Sequence, residues 1–241
     1  GVFLTPRGAG TGKSGGCVPV HGGVVLALDR LTRITRIDKG NGTCVVEPGV
    51  ILGELQRTVE AEGLFYPPDP ASLDSCTLGG NVAENAGGPR ALKYGVTSNY
   101  VLGLDVVLAT GERVHTGKST TKGVAGYDLT SLLVGSEGTL AVITGITLKL
   151  LPTPRFVQTA LAVFPSSEAA VRGVNAILDA GVLPRTLEFL DRSSIAAVRT
   201  MSPPYRFPEG AGAALIVETD GESEAGTHEA LSRALDSGRS D

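Results

Sequence analysis

The sequence predicts an α+β fold in two successive domains, and three observations carry that expectation. Clusters of short β-rich runs are followed by single helical stretches. Pro152 and Pro154 then break the pattern, and a fresh strand, helix and strand series begins after them. Finally, 241 residues with 41% hydrophobic and 19% charged side chains have the make-up of a globular protein, long enough to bury a core without disulfide staples.

In chain order, Gly1 to Pro6 reads as a strand already under way. Val24 to Leu28, Arg33 to Asp38 and Thr43 to Glu47 read as strands, with Asn41-Gly42 as a hairpin turn. Val50 to Glu62 is amphipathic: Leu52, Leu55 and Val59 fall on one helical face, and Gly63 stands where a helix stops. Tyr66 to Ala71 is a proline-rich loop, and Thr77 to Ala86 is a short helix among glycines. Tyr100 to Ala109 is a buried strand turning through Thr110-Gly111-Glu112 into Arg113 to Thr116. Tyr127 to Val134 is helical, and Thr139 to Thr144 and Ile146 to Leu151 read as two strands around Gly145.

Beyond the prolines, Val157 to Phe164 alternates as a strand. Ser166 or Ser167 caps a helix running through Ala180, which Gly181 ends. A strand at Leu187 to Asp191, a helix near Ser193 to Met201 and a strand at Ala213 to Glu218 follow. The polar tail from Gly221 to Asp241 closes no recognisable element. The expected domains are therefore 1–151 and 152–241.

The formal net charge is −4, and no stretch gathers five or six Lys and Arg, so a nucleic-acid footprint is absent. No apolar run approaches the roughly 20 residues of a membrane span. Cys17, Cys44 and Cys76 are odd in number and lack C-x-x-C spacing, which fits a reducing cytoplasm.

Glycine is the unusual excess, at 33 residues, and it points to loops in which backbone lies close to a ligand. The densest stretch, Pro6 to Gly16, overlaps three familiar strings. A Walker loop needs glycine where Arg7 stands. Gly10-x-Gly12-x-x-Gly15 spells a dinucleotide fingerprint and Gly12-x-Ser14-x-Gly16 a hydrolase elbow, but both require a helix directly afterwards, and Cys17 to Gly23 cannot form one. What survives is a strand, a glycine-dense turn whose N–H groups form a nest for anionic oxygens, and another strand.

Two further clusters follow: Pro67 to Ser72 with Cys76 to Gly88 and Lys93-Tyr94-Gly95, and then Gly135 to Thr144. In this order, and above all through the string Gly79 to Gly88, the sequence resembles the FAD-binding (PCMH) domain of the vanillyl-alcohol-oxidase type, in the branch of glycolate oxidase flavoprotein subunits and D-lactate dehydrogenases. The resemblance runs from Pro6 to about Glu218. It implies an FAD domain over 1–151 that is short of its N-terminal part, followed by an α+β substrate, or cap, domain over 152–241 that is short of its C-terminal part. The resemblance assigns Arg7, Gly8, Ala9, Gly10, Thr11, Gly12, Ser14 and Gly15 to the FAD pyrophosphate. Lys13 there replaces the usual leucine. Pro70, Ser72, Thr77, Gly79, Gly80, Asn81, Asn85 and Gly88 are assigned to the flavin and its ribityl chain, and Glu137, Gly138 and Ile143 to the adenine end or flavin edge. Ala141 stands where glycine is usual.

The histidines, His21, His115 and His228, lie far apart and suit structural or surface places rather than metal ligation, so no metal site is expected. His21 lies on the wrong side of the loop for a covalent flavin link, and FAD is expected to be held non-covalently. Lys93 and Tyr94 face either the flavin or solvent. Glu188 reads as the polar half of an alternating strand, and Cys76 as a small buried residue beside the flavin loop.

By resemblance the activity is oxidation of a small 2-hydroxy acid, glycolate or D-lactate, by hydride transfer to flavin N5, with a base not identifiable in this chain. The acceptor is a partner subunit or a quinone, and the location is the cytoplasm, peripheral to a membrane. The alternatives are a non-catalytic flavin-binding subunit, or another enzyme of the same fold such as a 2-hydroxyglutarate dehydrogenase or an alkyl-glycerone-phosphate synthase. The chain alone is expected to bind FAD weakly if at all, to turn over neither acid, to leave sheet edges at Val2 to Thr5 and in the second domain without neighbours, and to aggregate, whereas a chain extended at both ends is expected to be active.

Overall fold

The structure is a computed structural model that describes residues 1–120, 123, 125–201 and 205–238. It divides into two compact units: Gly1–Gly88 with Gly95–Thr153, and Pro89–Tyr94 with Pro154–Asp241. A six-residue excursion of the chain thus belongs to the second unit.

In the first unit, β1 (Leu4–Arg7) pairs in parallel with β2 (Val24–Ala27), so the edge expected to be bare has a neighbour on one side. Leu4, Val24, Val25 and Leu26 nevertheless remain exposed. β3 (Ile34–Asp38) and β4 (Thr43–Val46) form the hairpin around Asn41-Gly42, where Asp38 accepts from the Asn41 backbone N–H at 3.0 Å. α1 (Leu52–Glu60) buries Leu52, Leu55 and Val59, the face read from spacing, and β5 (Leu64–Phe65) follows it.

α2 (Leu78–Glu84) is succeeded by the short α3 (Ala91–Tyr94), a 3-10 turn at Thr97–Asn99, β6 (Val101–Leu108), β7 (Arg113–Gly117) and α4 (Leu129–Leu133). β8 (Ala141–Lys149) is one continuous strand, not two. At Gly145 the ladder with β6 slips by one residue, and a Cβ there would lie 2.7 Å from Asp105 Oδ2, so the crowding beside the slip favours glycine. β9 (Leu151–Pro152) pairs with β5, and the main sheet has the order β3-β4-β8-β6-β7.

In the second unit, β10 (Phe156–Phe164) leads to α5 (Ser167–Asp179), which Ser166 caps by accepting from the Ala169 N–H at 3.2 Å. β11 (Thr186–Asp191), α6 (Arg192–Thr200) and β12 (Ala213–Gly221) follow, in an antiparallel sheet of order β10-β12-β11. The polar tail is not without structure. Glu224–Gly238 forms α7, burying Thr227, Leu231 and Ala234, a helical stripe that its polar neighbours conceal in the sequence; residues 239–241 lie outside the described ones. Leu231 and Ala234 complete a core with Ala170, Ile177, Ala213, Leu215 and Val217. Glu188 is exposed, but so is its neighbour Phe189, so burial along β11 does not alternate as expected.

Candidate functional site

The site is built from backbone more than from side chains. Between β1 and β2 the chain makes its glycine turn, in which Gly10 takes φ +73°, a conformation that side-chain-bearing residues seldom adopt. The turn lies against α2. A Cβ on Gly8 would come 2.3 Å from Thr77 Oγ1, and one on Gly12 would come 1.7 Å from Glu84 Oε1. Gly12 itself has no positive φ, so crowding rather than conformation selects glycine there.

α2 is held by its ends. Thr77 caps it, accepting from the Gly80 N–H at 3.4 Å, and Asn85 closes it in the left-handed conformation at φ 51° while its Oδ1 accepts from the Ser98 N–H at 2.8 Å. The Gly79 N–H donates to the Pro48 carbonyl at 2.7 Å. Asn81 Nδ2 donates to the buried Cys76 sulfur at 3.5 Å. The third glycine segment hangs on the same helix: the Gly135 and Glu137 N–H groups donate to the carbonyls of Val82 (2.9 Å) and Ala83 (2.8 Å). Farther along, Gly88 is pressed against Asp69, whose carbonyl carbon would stand 2.5 Å from an added Cβ.

These three segments line one cavity of about 710 Å³, a size usual for cofactor sites. Every candidate residue named from the sequence lines it except Gly15 and Asn85. Asn85 serves as the helix stop, and Gly15, at φ +79°, accepts from the Val18 N–H at 2.9 Å. Sequence reasoning leaves unassigned the wall residues Pro48, Leu28, Glu84, Cys17 and Ala86. Glu84 stands inside the most informative string, but its direction depends on where α2 ends.

Arg7 and Lys13 bring positive charge to the wall, Glu84 and Glu137 negative charge. Partial burial, reinforced by the negative charge of Glu137, holds the Glu84 carboxyl above its ordinary range. A turn of N–H groups beside cations suits a diphosphate, and the glycines among the lining residues leave room for a flat, extended group. Among the described residues, no three His, Cys, Asp or Glu side chains are grouped to hold a metal. His21 stacks on Phe3 at 5.3 Å, His115 Nδ1 lies 2.7 Å from Asp105, and His228 Nδ1 lies 3.1 Å from Gln158.

The FAD binding domain family matches residues 1–117, and the C-terminal domain of FAD linked oxidases matches residues 153–239. The chain belongs to the FAD-linked oxidases. It is 47% identical over 223 residues to the glycolate oxidase subunit GlcD of Bacillus subtilis, covering 92% of this chain and 47% of that protein. A D-lactate dehydrogenase of Anaerostipes hadrus is 38% identical over 238 residues, covering 97% of this chain and 50% of the relative. The chain therefore spans about half the length of these relatives. Among solved structures, an alkyldihydroxyacetonephosphate synthase superposes with a TM-score of 0.80 at 22% identity, over 98% of this chain and 46% of that one, which shows the shared fold. FAD is the cofactor of the family, and the cavity lined by the three glycine-rich segments fits it.

Lys93 and Tyr94 are both held by one carboxylate of the chain, that of Asp220. Within the second unit Lys93 Nζ is ion-paired to Asp220, and the Tyr94 hydroxyl donates to Asp220 Oδ2 at 2.5 Å. Arg185 Nη1 lies 3.7 Å from the same carboxylate, whose side chain is 1% exposed. Lys93 is thus no freely solvated charge.

Proposed function

We infer that this chain binds FAD non-covalently and serves oxidation of a small 2-hydroxy acid, glycolate or D-lactate. The observation that carries this reading is a single cavity lined by three separate glycine-rich segments, which put Gly8, Gly10 and Gly12, Gly79, Gly80 and Gly88, and Gly138 on its wall. When bound, FAD supplies the hydride acceptor at N5. The chain's own part is to hold and orient it. Arg7 to Ser14 wrap the diphosphate, Pro70, Ser72, Thr77 to Asn81 and Gly88 run beside the ribityl chain and flavin, and Glu137, Gly138 and Ile143 close the far side. The substrate classes come from the names of the relatives. GlcD is named as a subunit, which supports transfer of electrons onward to a partner subunit or quinone. Three cysteines without a disulfide suit a cytoplasmic setting. No helix among the described residues is long and apolar enough to cross a membrane, and in this reading the chain associates with a membrane only peripherally.

The test is reconstitution of the chain with FAD, an absorbance spectrum before and after acid precipitation, and dye reduction with a panel of 2-hydroxy acids by the chain extended at both ends to its relatives' length. Flavin retained by native protein and released into the acid supernatant supports the cofactor reading. Flavin that stays with the precipitate overturns its non-covalent half, and dye reduction by simple alcohols in preference to 2-hydroxy acids overturns the substrate.

A further inference from the structure

Two carboxylates flank the glycine turn. Glu84, at the last turn of α2, reaches over Gly12 so closely that a Cβ there would meet its Oε1. Glu137, held at φ 52° in the loop after α4, has its Oε2 3.4 Å from the Cβ position of Gly16. Both are largely exposed and line the cavity, so water screens them. Any ligand that fills this space removes that water and strengthens every charge interaction inside.

The turn is also where an anion belongs. If the diphosphate of FAD sits there, as the cofactor reading on which this inference rests has it, two or more negative charges come up against Glu84 and Glu137. The other titratable or charged groups on the wall are Arg7 from β1, Lys13 and Cys17 from the turn, and Cys76 before α2. The two cations offset part of the repulsion. Coulomb repulsion at contact distances is large enough to change the protonation of a carboxyl by a unit or more.

We propose that Glu84 is a proton-linked brake on cofactor uptake: its carboxylate opposes the diphosphate at the glycine turn, and FAD binding is coupled to protonation of Glu84. The direction of its titration in the structure agrees, since burial and Glu137 already favour the neutral form. The consequence is that FAD binds more tightly as pH falls. Neither the diphosphate nor the flavin ring changes charge near neutrality, so the slope belongs to the protein.

The experiment titrates FAD into the chain by flavin fluorescence at about pH 5.8 and about pH 8, an interval chosen around the upper carboxyl range. Calorimetry in two buffers of different ionisation enthalpy counts protons. The parent is expected to bind FAD roughly tenfold more tightly at the lower pH, with net proton uptake, and Glu84→Gln is expected to bind tightly at both with the uptake lost. Calorimetry on the unmodified chain keeps the test independent of how the variant folds. Affinity that does not change with pH, or an FAD affinity reduced by Glu84→Gln, overturns the brake and makes Glu84 an acceptor for cofactor hydroxyls. Binding of FAD by neither protein at either pH overturns the cofactor reading itself, and the brake with it.

Discussion

Gly88 touches the Asp69 backbone so closely that no rotamer change can admit even a methyl group: an added Cβ stands 2.5 Å from both the carbonyl carbon and oxygen. Gly88→Ala is expected to weaken FAD binding at least about tenfold, roughly 1.4 kcal/mol, measured by flavin fluorescence titration. Gly12→Ala crowds only the movable end of Glu84 and should cost less, and equal losses at the two positions would refute this ranking. Lys13 is exposed on the wall, so Lys13→Leu should change FAD affinity by less than about tenfold. The cysteines divide by access. Cys44 is fully buried with its thiol pushed up to about 12, Cys76 is buried, and Cys17 is partly open on the cavity wall. Native alkylation followed by peptide mass spectrometry should mark Cys17 alone, and bound FAD should slow it. At this scale the sequence is highly legible, because glycine is chosen for what it lacks and three such clusters in one order leave little room for coincidence. Pro48 and Leu28 are not legible, since their part in the wall exists only once distant loops meet.

Helix ends give the element scale its pH dependence. Asp128 accepts from the Ser131 N–H at 2.9 Å and Asp191 from the Ser194 N–H at 2.6 Å. These bonds hold both carboxyls below their ordinary range. A depressed folded-state value means that the unfolded chain binds the proton more readily, so the caps stabilise fully above about pH 4 and fade as pH falls through the depressed values. Asn caps a helix without a charge, so Asp191→Asn should flatten the acid side of the melting temperature against pH while leaving the neutral value nearly unchanged. Ser166→Ala removes the α5 cap and should lower stability by about 1 kcal/mol, read from chemical denaturation. Among the elements, strands and long amphipathic helices are readable from period alone. Three are not. An interior glycine reads as a break in β8, when it in fact marks the slip beside Asp105. α7 carries its apolar stripe on too few residues, and α3 is four residues long, its place set by partners 127 positions away.

Asp220 belongs to the scale of the whole molecule, because it gathers Lys93, Tyr94 and Arg185 from segments far apart in the chain. Removing one member of a buried ion cluster leaves the others uncompensated, at a cost of about 3–5 kcal/mol. Asp220→Ala should therefore unfold the second unit at markedly lower denaturant concentration, whereas Lys93→Met with Asp220→Leu together should recover part of the loss. A double variant no better than Asp220→Ala would argue that the cluster is worth little.

The excursion Pro89–Tyr94 carries a consequence for how such proteins can be recombined. The second unit is made of two pieces of sequence, and the shorter one begins one residue after Gly88 of the cavity wall. A chimera that imports residues 154 onward from one relative and keeps everything before from another splits the Asp220 cluster between two parents. Exchange of the six-residue insert along with the larger block keeps donor and acceptor from the same lineage. Swaps made at a single crossover should therefore yield soluble protein less often than swaps made at three, and the difference should vanish between parents that share Lys93, Tyr94, Arg185 and Asp220.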